Sequence, residues 1–417
     1  MEQYQILKNR MNEGLTRFAN STIHQNTVRD ETETKILFAI DKKIGILSSI
    51  GREPNLKMAK EIALNSKENT DFVSLPDPDE AGKPIFKGSF SDATSDISPK
   101  TRAKLVKDIL QLCKENGLQA AGFLSTGLFE QEVENSLDVK RKDRTSFATF
   151  TITTIGEGTG YATATAYDLN LVDIKKLTSE AIDTALKNVN PVNIEPGMYQ
   201  VLLEPLAVHE LFQHLSFIGF SGMFYDDGRS CFSGMLNQKV TSPLLTFYDE
   251  PIHDLPGLGI DVEGVARKKI ILVENGVLKN IAYDSYSAHK VGKKSTGNAF
   301  YLISPYGGFP FSMSIVPGKN SPEDMLKEIR KGLLIKRFWY TRVVSWKEGI
   351  LTGMTRDGTF SVLNGKIDKP IKNLRFQISL PDLFKKVMMV GNILSLYEYG
   401  RYPHLLIDDF KITGLTG

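Results

Sequence analysis

The stretch Ser146 to Asp168, SFATFTITTIGEGTGYATATAYD, decides the fold class. Two Thr-rich, β-branched runs, Ser146–Thr154 and Tyr161–Asp168, flank Gly156-Glu157-Gly158-Thr159-Gly160. Strand-forming runs around a glycine turn read as an antiparallel hairpin. A glycine loop that cradles phosphate opens a helix and ends in Lys-Ser/Thr, whereas this one joins two strands and lacks that tail, so phosphate is set aside.

Outward from the hairpin, Asp173 to Val189 carries Ile174, Leu177, Ala181, Ile182 and Leu186 at helical spacing. Upstream, Pro99 sits in a first helical turn and Leu105, Ile109, Leu112 and Cys113 repeat until Gly117 stops the pattern. Further back, a short N-terminal helix is expected to lead into strands Thr16–Val28 and Lys35–Ile40, followed by a helix over Asn55–Lys67. Pro76, Pro78, Gly82, Pro84 and Gly88 make Ser74–Ser98 a long loop. The Asn188-Val189-Asn190-Pro191 and Pro196-Gly197 cluster marks a domain boundary.

Beyond it strands dominate: Met198–Glu204, Leu244–Tyr248, Lys268–Val273, Val277–Asp284, Arg342–Lys347, Thr359–Asn364 and Leu405–Thr413, with Asn275-Gly276 as a hairpin turn. Helices are expected at Leu206–Phe217, Ser321–Leu334 and Leu380–Leu394. The fold class is α+β: an N-terminal domain of helices and antiparallel sheet over 1–190, then a strand-rich, barrel-like domain over 191–417.

Charge and cysteine content narrow the function classes. Lys and Arg number 51 against 49 Asp and Glu, so no field gathers nucleic acid or anionic membrane. Two cysteines, Cys113 and Cys231, neither build a disulfide framework nor show zinc-ribbon spacing, and point to a reducing cytoplasm. The N-terminus has no apolar leader and no apolar run spans a membrane, so a soluble, unprocessed chain is expected.

The most pointed chemical feature is His209-Glu210-Leu211-Phe212-Gln213-His214. Neutral imidazoles bind zinc, and an adjacent glutamate can take a proton from metal-bound water, which makes His209 and His214 candidate ligands and Glu210 a candidate base. On a regular α-helix, however, five residues turn about 500° and leave the two imidazoles about 140° apart. A third ligand is not fixed by spacing; His404, His289 and Cys231 are the candidates.

Several stretches together resemble the TldD/PmbA family, once described as modulators of DNA gyrase and regarded as zinc-dependent peptidases acting on unfolded peptides. They are Arg17-Phe18-Ala19-Asn20-Ser21-Thr22-Ile23-His24-Gln25, Ser233-Gly234, Ser242-Pro243-Leu244-Leu245-Thr246, Asp261-Val262-Glu263-Gly264-Val265, Glu274-Asn275-Gly276-Val277-Leu278 and Ser295-Thr296-Gly297-Asn298-Ala299, in family order. The resemblance implies two-domain subunits, in dimers that enclose a peptide-sized chamber. Leu203-Glu204-Pro205-Leu206-Ala207-Val208 and Asp284-Ser285-Tyr286-Ser287-Ala288 are phrased as in the PmbA (TldE) branch, which usually lacks the zinc ligands of the TldD branch. By that resemblance the active branch's first His falls near Gln213, its Glu near His214, its second His near Ile218 and its cysteine near Ser395. The His209–His214 motif therefore sits one helical turn early.

Three functions are expected from this. The first is a PmbA-type subunit that shapes the chamber, as a homodimer or with a TldD-type partner, without the standard zinc. The second is a metallopeptidase with a displaced zinc site at His209, Glu210 and His214, His404 serving as third ligand. The third is a peptide-binding scaffold. Under the second, unfolded peptide adds as a strand along an exposed sheet edge. Ser295, Gly297 and Asn298 are the expected substrate-facing loop, because glycine permits close backbone approach and the Asn amide both donates and accepts.

Overall fold

The Ser146–Asp168 hairpin forms the edge of a six-stranded antiparallel sheet in a computed structural model that describes residues 2–51 and 54–415. Its strands are β1 (Glu2–Ala19), β2 (Thr22–Ile40), β3 (Lys43–Ile50), β4 (Gln119–Asn135), β5 (Lys140–Ile155) and β6 (Thr159–Ala166), in the order β3-β2-β1-β4-β5-β6. Alternation along β5 assigns the faces. Ala148, Phe150 and Ile152 are buried with Val106, Ile109 and Cys113 of the Pro99–Glu115 helix and with Ala181 and Ile182 of the Ile174–Lys187 helix. On the opposite face Thr149 and Thr151 meet Thr165 and Thr163 across the hairpin, hydroxyl to hydroxyl at 3.1 and 2.9 Å.

The expected N-terminal helix is corrected: Glu2–Ala19 is a strand, paired with β2 on one side and β4 on the other. Its local composition tolerates helix, but two flanking partners supply a full backbone ladder, and pairing outweighs weak intrinsic preference. The long strand β4, which closes that ladder, has no counterpart in the sequence reading. The Ser74–Ser98 loop holds, interrupted by four-residue turns at Pro78–Ala81 and Asp92–Ser95.

The second half is built around the Pro205–Phe220 helix. Ala207, Val208, Leu211, Phe212, Leu215 and Ile218 are wholly buried on several sides of it, as a helix apolar nearly all round must be. A nine-stranded sheet that includes Gly197–Leu203, Lys331–Ile335 and Leu405–Leu415 shares its core with the helix, and a four-stranded sheet that includes Phe247–Asp249 closes the other side. Phe212 marks the junction, with its ring 5.2 Å from Phe247 and 5.0 Å from Phe384. The sheets are strand-rich as expected, but none closes into a barrel: Phe338–Ser345 and Lys366–Pro370 are free edges of the large one. Two expected helices are shorter, Pro322–Lys327 and Leu380–Lys385, because their C-terminal portions continue as strands Lys331–Ile335 and Val387–Val390 that pair in the large sheet. Among the described residues no helix is long and apolar enough to cross a membrane.

Candidate functional site

The Pro205–Phe220 helix is α-helical throughout, with Pro205 in its first turn. With no π-turn to bend it, the angular separation of its polar side chains follows from 3.6 residues per turn. His209 and Gln213, four apart, share one face and one partner. Gln213 Nε2 donates to Glu398 Oε2 at 2.6 Å, and His209 Nε2 lies 3.6 Å from the same oxygen. The His209 ring packs between Tyr397 and Tyr402, at 5.8 and 5.0 Å. These three partners belong to a hairpin, Ser395–Tyr397 with Gly400–Tyr402, laid over the helix. His209 and Gln213 together hold the Glu398 carboxyl below the usual carboxylate range.

Glu210 faces elsewhere. Its Oε2 accepts the Phe338 backbone N–H, and its Oε1 lies 3.9 Å from Arg337 Nε. Burial raises its carboxyl to about 8, with Arg337 and the Phe338 N–H pulling the other way. Arg337 also reaches Asp357 at 3.4 Å and covers the Tyr161 ring of β6 at 3.7 Å, so Glu210 buttresses the junction between the two halves of the chain.

His214 hydrogen-bonds Thr341 Oγ1 through Nε2 at 2.8 Å, and burial lowers its pKa. It lines a small cavity of about 220 Å³ with Phe217, Tyr301, Tyr306 and Trp346. The three residues of the expected motif thus engage three separate sets of partners.

The candidate third ligands are dispersed as well. His404 stands against Gly391, its pKa pushed down to about 4 by burial. His289 pairs with Glu80 at 2.7 Å. The Cys231 thiol, raised to about 12 by burial, packs beside Gly349. Among the described residues no three His, Cys, Asp or Glu side chains gather as a metal-holding group. A tetrahedral zinc needs convergent, uncommitted donors; His209, Glu210 and His214 diverge around the helix and already have partners, so this donor set does not fit zinc as it stands.

The Ser295–Asn298 segment packs against the protein's own chain. Ser295 N donates to Glu80 Oε1 at 3.0 Å. Gly297, at φ +76°, brings its backbone against Ala266, where a Cβ would stand 2.6 Å from the carbonyl oxygen. Asn298 is 0% exposed and donates to Asp249 Oδ2 at 2.8 Å. The glycine does serve close backbone approach, but the approaching chain is the protein's own. The residues immediately following, Ala299 to Leu302, are the ones that reach open space.

That space is a cavity of about 800 Å³ between the outer face of the six-stranded sheet and the loops of the second half. Met11, Phe129 and Phe147 come from the sheet, Leu258, Phe300 and Phe311 from the loops. Edge strand β3 contributes Ile46 and Ser48, and Glu398 and Tyr399 bring the tip of the helix-covering hairpin to the same wall.

Residues 196–414 match the model of the PmbA/TldA metallopeptidase C-terminal domain. The chain belongs to the PmbA/TldD metallopeptidase family. An uncharacterized protein of Methanocaldococcus jannaschii is 26% identical over 87% of both chains. A metalloprotease TldD homolog of Buchnera aphidicola is 31% identical over 54% of this chain and 47% of its own length. In fold, the chain is similar to TldE from Thermococcus kodakarensis, with a TM-score of 0.88 at 23% identity over 99% of this chain and 97% of that one.

The family segments singled out in the sequence prove to be staples. Asp261 Oδ1 accepts the N–H groups of Glu263 and Val265, its Oδ2 accepts that of Ala299, and Glu263 Oε2 accepts that of Ser285. Asp284 caps the Ser285–Lys290 helix. Burial raises all three carboxyls, Asp261 to about 7 and Glu263 well above its ordinary value. A carboxyl raised in the fold keeps its proton where the unfolded chain has lost it, so its contribution is present at low pH and is lost as pH rises toward the folded value. Stability is therefore expected to fall between about pH 4 and pH 7, from the ordinary carboxylate range to the folded value of Asp261. Glu263→Gln, which keeps an oxygen for the Ser285 N–H, should flatten the fall by about 1 kcal/mol or more. Thermal melts across that range check this; equal slopes in both proteins would refute it.

Glu398, Arg337 and Asp357 went unnoticed in the sequence. No local pattern marks them, since each acts through partners more than one hundred positions away.

Proposed function

We propose that this chain is a PmbA (TldE)-type subunit of a TldD/PmbA metallopeptidase assembly, which shapes the chamber for unfolded peptide and leaves the zinc chemistry to a TldD-type partner. The observation that carries the reading is the state of the central helix. Gln213 stands where the resemblance places the active branch's first His, and it is bonded to Glu398. Glu210 accepts a backbone N–H and faces Arg337. A general base has to reach the proton it takes, and this carboxylate is turned into a domain junction.

The large cavity supports the peptide part of the reading. It is mostly apolar, of peptide scale, and bordered by β3, an edge strand whose backbone an extended chain can join. Zinc would belong to the partner, and the assembly would be a dimer in the cytoplasm.

The test is zinc per chain in protein purified without chelator, with His209→Ala and His214→Ala beside it, and hydrolysis of an unfolded polypeptide with and without a TldD-type subunit carrying the complete motif. The expected result is no zinc that depends on either histidine, no hydrolysis by this chain on its own, and hydrolysis by the mixture. Near-stoichiometric zinc lost in both variants would overturn the proposal in favour of the displaced-site metallopeptidase.

A further inference from the structure

The small cavity beside the central helix is walled chiefly by rings. Three elements build it: the Pro205–Phe220 helix gives His214 and Phe217, the loop after Asn298 gives Tyr301 and Tyr306, and the free edge strand Phe338–Ser345, with the residue beyond it, gives Val343 and Trp346. Its rim is open to solvent, with Tyr301 48%, Tyr306 45% and Trp346 41% exposed. Packing behind these rings sets their positions. Phe224 lies against both Trp346 and Tyr306, at 5.0 and 6.0 Å, while Phe309 backs Phe217 at 3.9 Å and Phe300 backs Tyr301 at 4.9 Å. Wet aromatic surface gathered around a concavity and braced from behind is the mark of a binding site for an apolar group.

The chemistry of the wall selects the occupant. Among the described residues it carries no Asp, Glu, Lys or Arg side chain. A carboxylate or phosphate would lose its hydration there without a counter-charge, and a cation would meet rings but no anion. His214 is committed through Nε2 to Thr341 Oγ1 at 2.8 Å, and burial lowers its pKa, so its ring is neutral at neutral pH. The volume, about 220 Å³, is on the scale of one large side chain. Tyr301 stands in the wall of both cavities, which places the small one alongside the large. Alternate side chains of an extended peptide point the same way, so a chain lying in the large cavity can direct one of them past Tyr301.

Building on the reading of the large cavity as a peptide chamber, we propose that the small cavity is a side-chain subsite of that chamber, taking one neutral aromatic side chain of an extended peptide between Trp346, Tyr306 and Phe217. Burying a ring there removes apolar area from water on both partners and adds ring-to-ring contacts. One anchored side chain fixes which backbone groups lie along the chamber, so the subsite sets the register of the peptide.

Trp346 is one of two tryptophans, the other being Trp339, so in a Trp339→Phe chain tryptophan emission reports the small cavity. The test titrates N-acetylated, C-amidated Ala/Gly pentapeptides with Phe, Leu, Ala or Lys at the centre, reading emission from this chain and heat from the unaltered one. The expected result is binding of the Phe peptide about tenfold or more tighter than the Ala peptide, with Leu between them, Lys no tighter than Ala, and an emission change with Phe and Leu alone. Tyr306→Ala should cut the Phe preference to about threefold or less. Gly257→Leu, placed where a Cβ meets nothing within 4 Å on the wall of the large cavity, should weaken every peptide. Should Tyr306→Ala fail to fold, the Phe-to-Ala comparison on the unaltered chain still decides. Equal binding of the Phe and Ala peptides overturns the subsite and leaves the peptide chamber standing. A Lys peptide as tight as the Phe peptide overturns the neutral occupant in favour of a cation. A Phe preference with all affinities untouched by Gly257→Leu overturns the chamber and leaves an aromatic pocket; no binding of any peptide overturns both.

Discussion

Gly160→Ala is expected to destabilise the protein by about 3 kcal/mol or more, a fall in Tm on the order of 5–10 °C. The glycine run of the hairpin turn was set aside as a phosphate loop, and its packing supplies the positive reason for it. The Ile174–Lys187 helix rests its backbone directly on the hairpin. A Cβ on Gly160 would stand 1.9 Å from the Ala181 carbonyl oxygen, and one on Gly158 2.3 Å from that of Ala185. Neither obstacle is a flexible side chain that could swing away; both belong to a regular helix whose carbonyls are tied into its own hydrogen-bond ladder. Relief requires lifting the helix off the sheet, which opens the core around Ala181, Ile182, Phe150 and Ile152. Gly257→Ala, with open space at its Cβ, is the control and should stay within about 0.5 kcal/mol of the parent. Matching Tm values for Gly160→Ala and the control would show that the close approach is not what demands glycine.

Arg337→Met is the second large effect, about 3 kcal/mol. The Arg337 side chain is 12% exposed and stands between Glu210, 18% exposed, and Asp357, 4% exposed, with Tyr161 of the other half beneath it. Methionine keeps most of the packing and removes the charge. Asp357 then retains Thr159 Oγ1 at 2.6 Å and a distant Arg356 at 3.8 Å, which is poor compensation for a buried carboxylate. Glu210 has an escape. Burial already holds its carboxyl at about 8, so it can keep a proton near neutral pH. The sign follows: Glu210's contribution is complete at low pH and is lost as pH climbs toward 8, and Arg337→Met should steepen that loss. Adding Glu210→Gln to Arg337→Met should recover about 1 kcal/mol at pH 8 and little at pH 5. A double-mutant cycle in chemical denaturation at the two pH values measures this. A coupling energy indistinguishable from zero at pH 8 would separate Glu210 from the junction and reopen its use as a base.

Both expectations turn on contacts that a linear reading reaches unequally. The 140° between His209 and His214 was legible, because the helix is regular and its geometry is local. Where each imidazole ends up was not. His209 meets a carboxylate at Glu398 and His214 a hydroxyl at Thr341, partners from strands folded back over the helix. The Ser295–Asn298 loop shows the same limit from the other side: Gly297 does signal close backbone approach, but residue type cannot say whether the approaching chain is substrate or Ala266.

What the sequence by itself determined is whatever depends on neighbours within a few residues. The helices opened by Pro99 and Pro205 and that over Ile174–Lys187, the Ser146–Asp168 hairpin, the α+β class and the divergence of the two histidines all follow from local spacing and turn chemistry. Tertiary structure decided the rest. Glu2–Ala19 became a strand because β2, which follows it directly, and the distant β4 together offered it a ladder on both edges. Glu210 became a buttress between the two halves of the chain because residues far apart in the sequence converge on it. Backbone pairing and the desolvation of charge act between segments brought together in space, and no short window of sequence contains both members of such a pair.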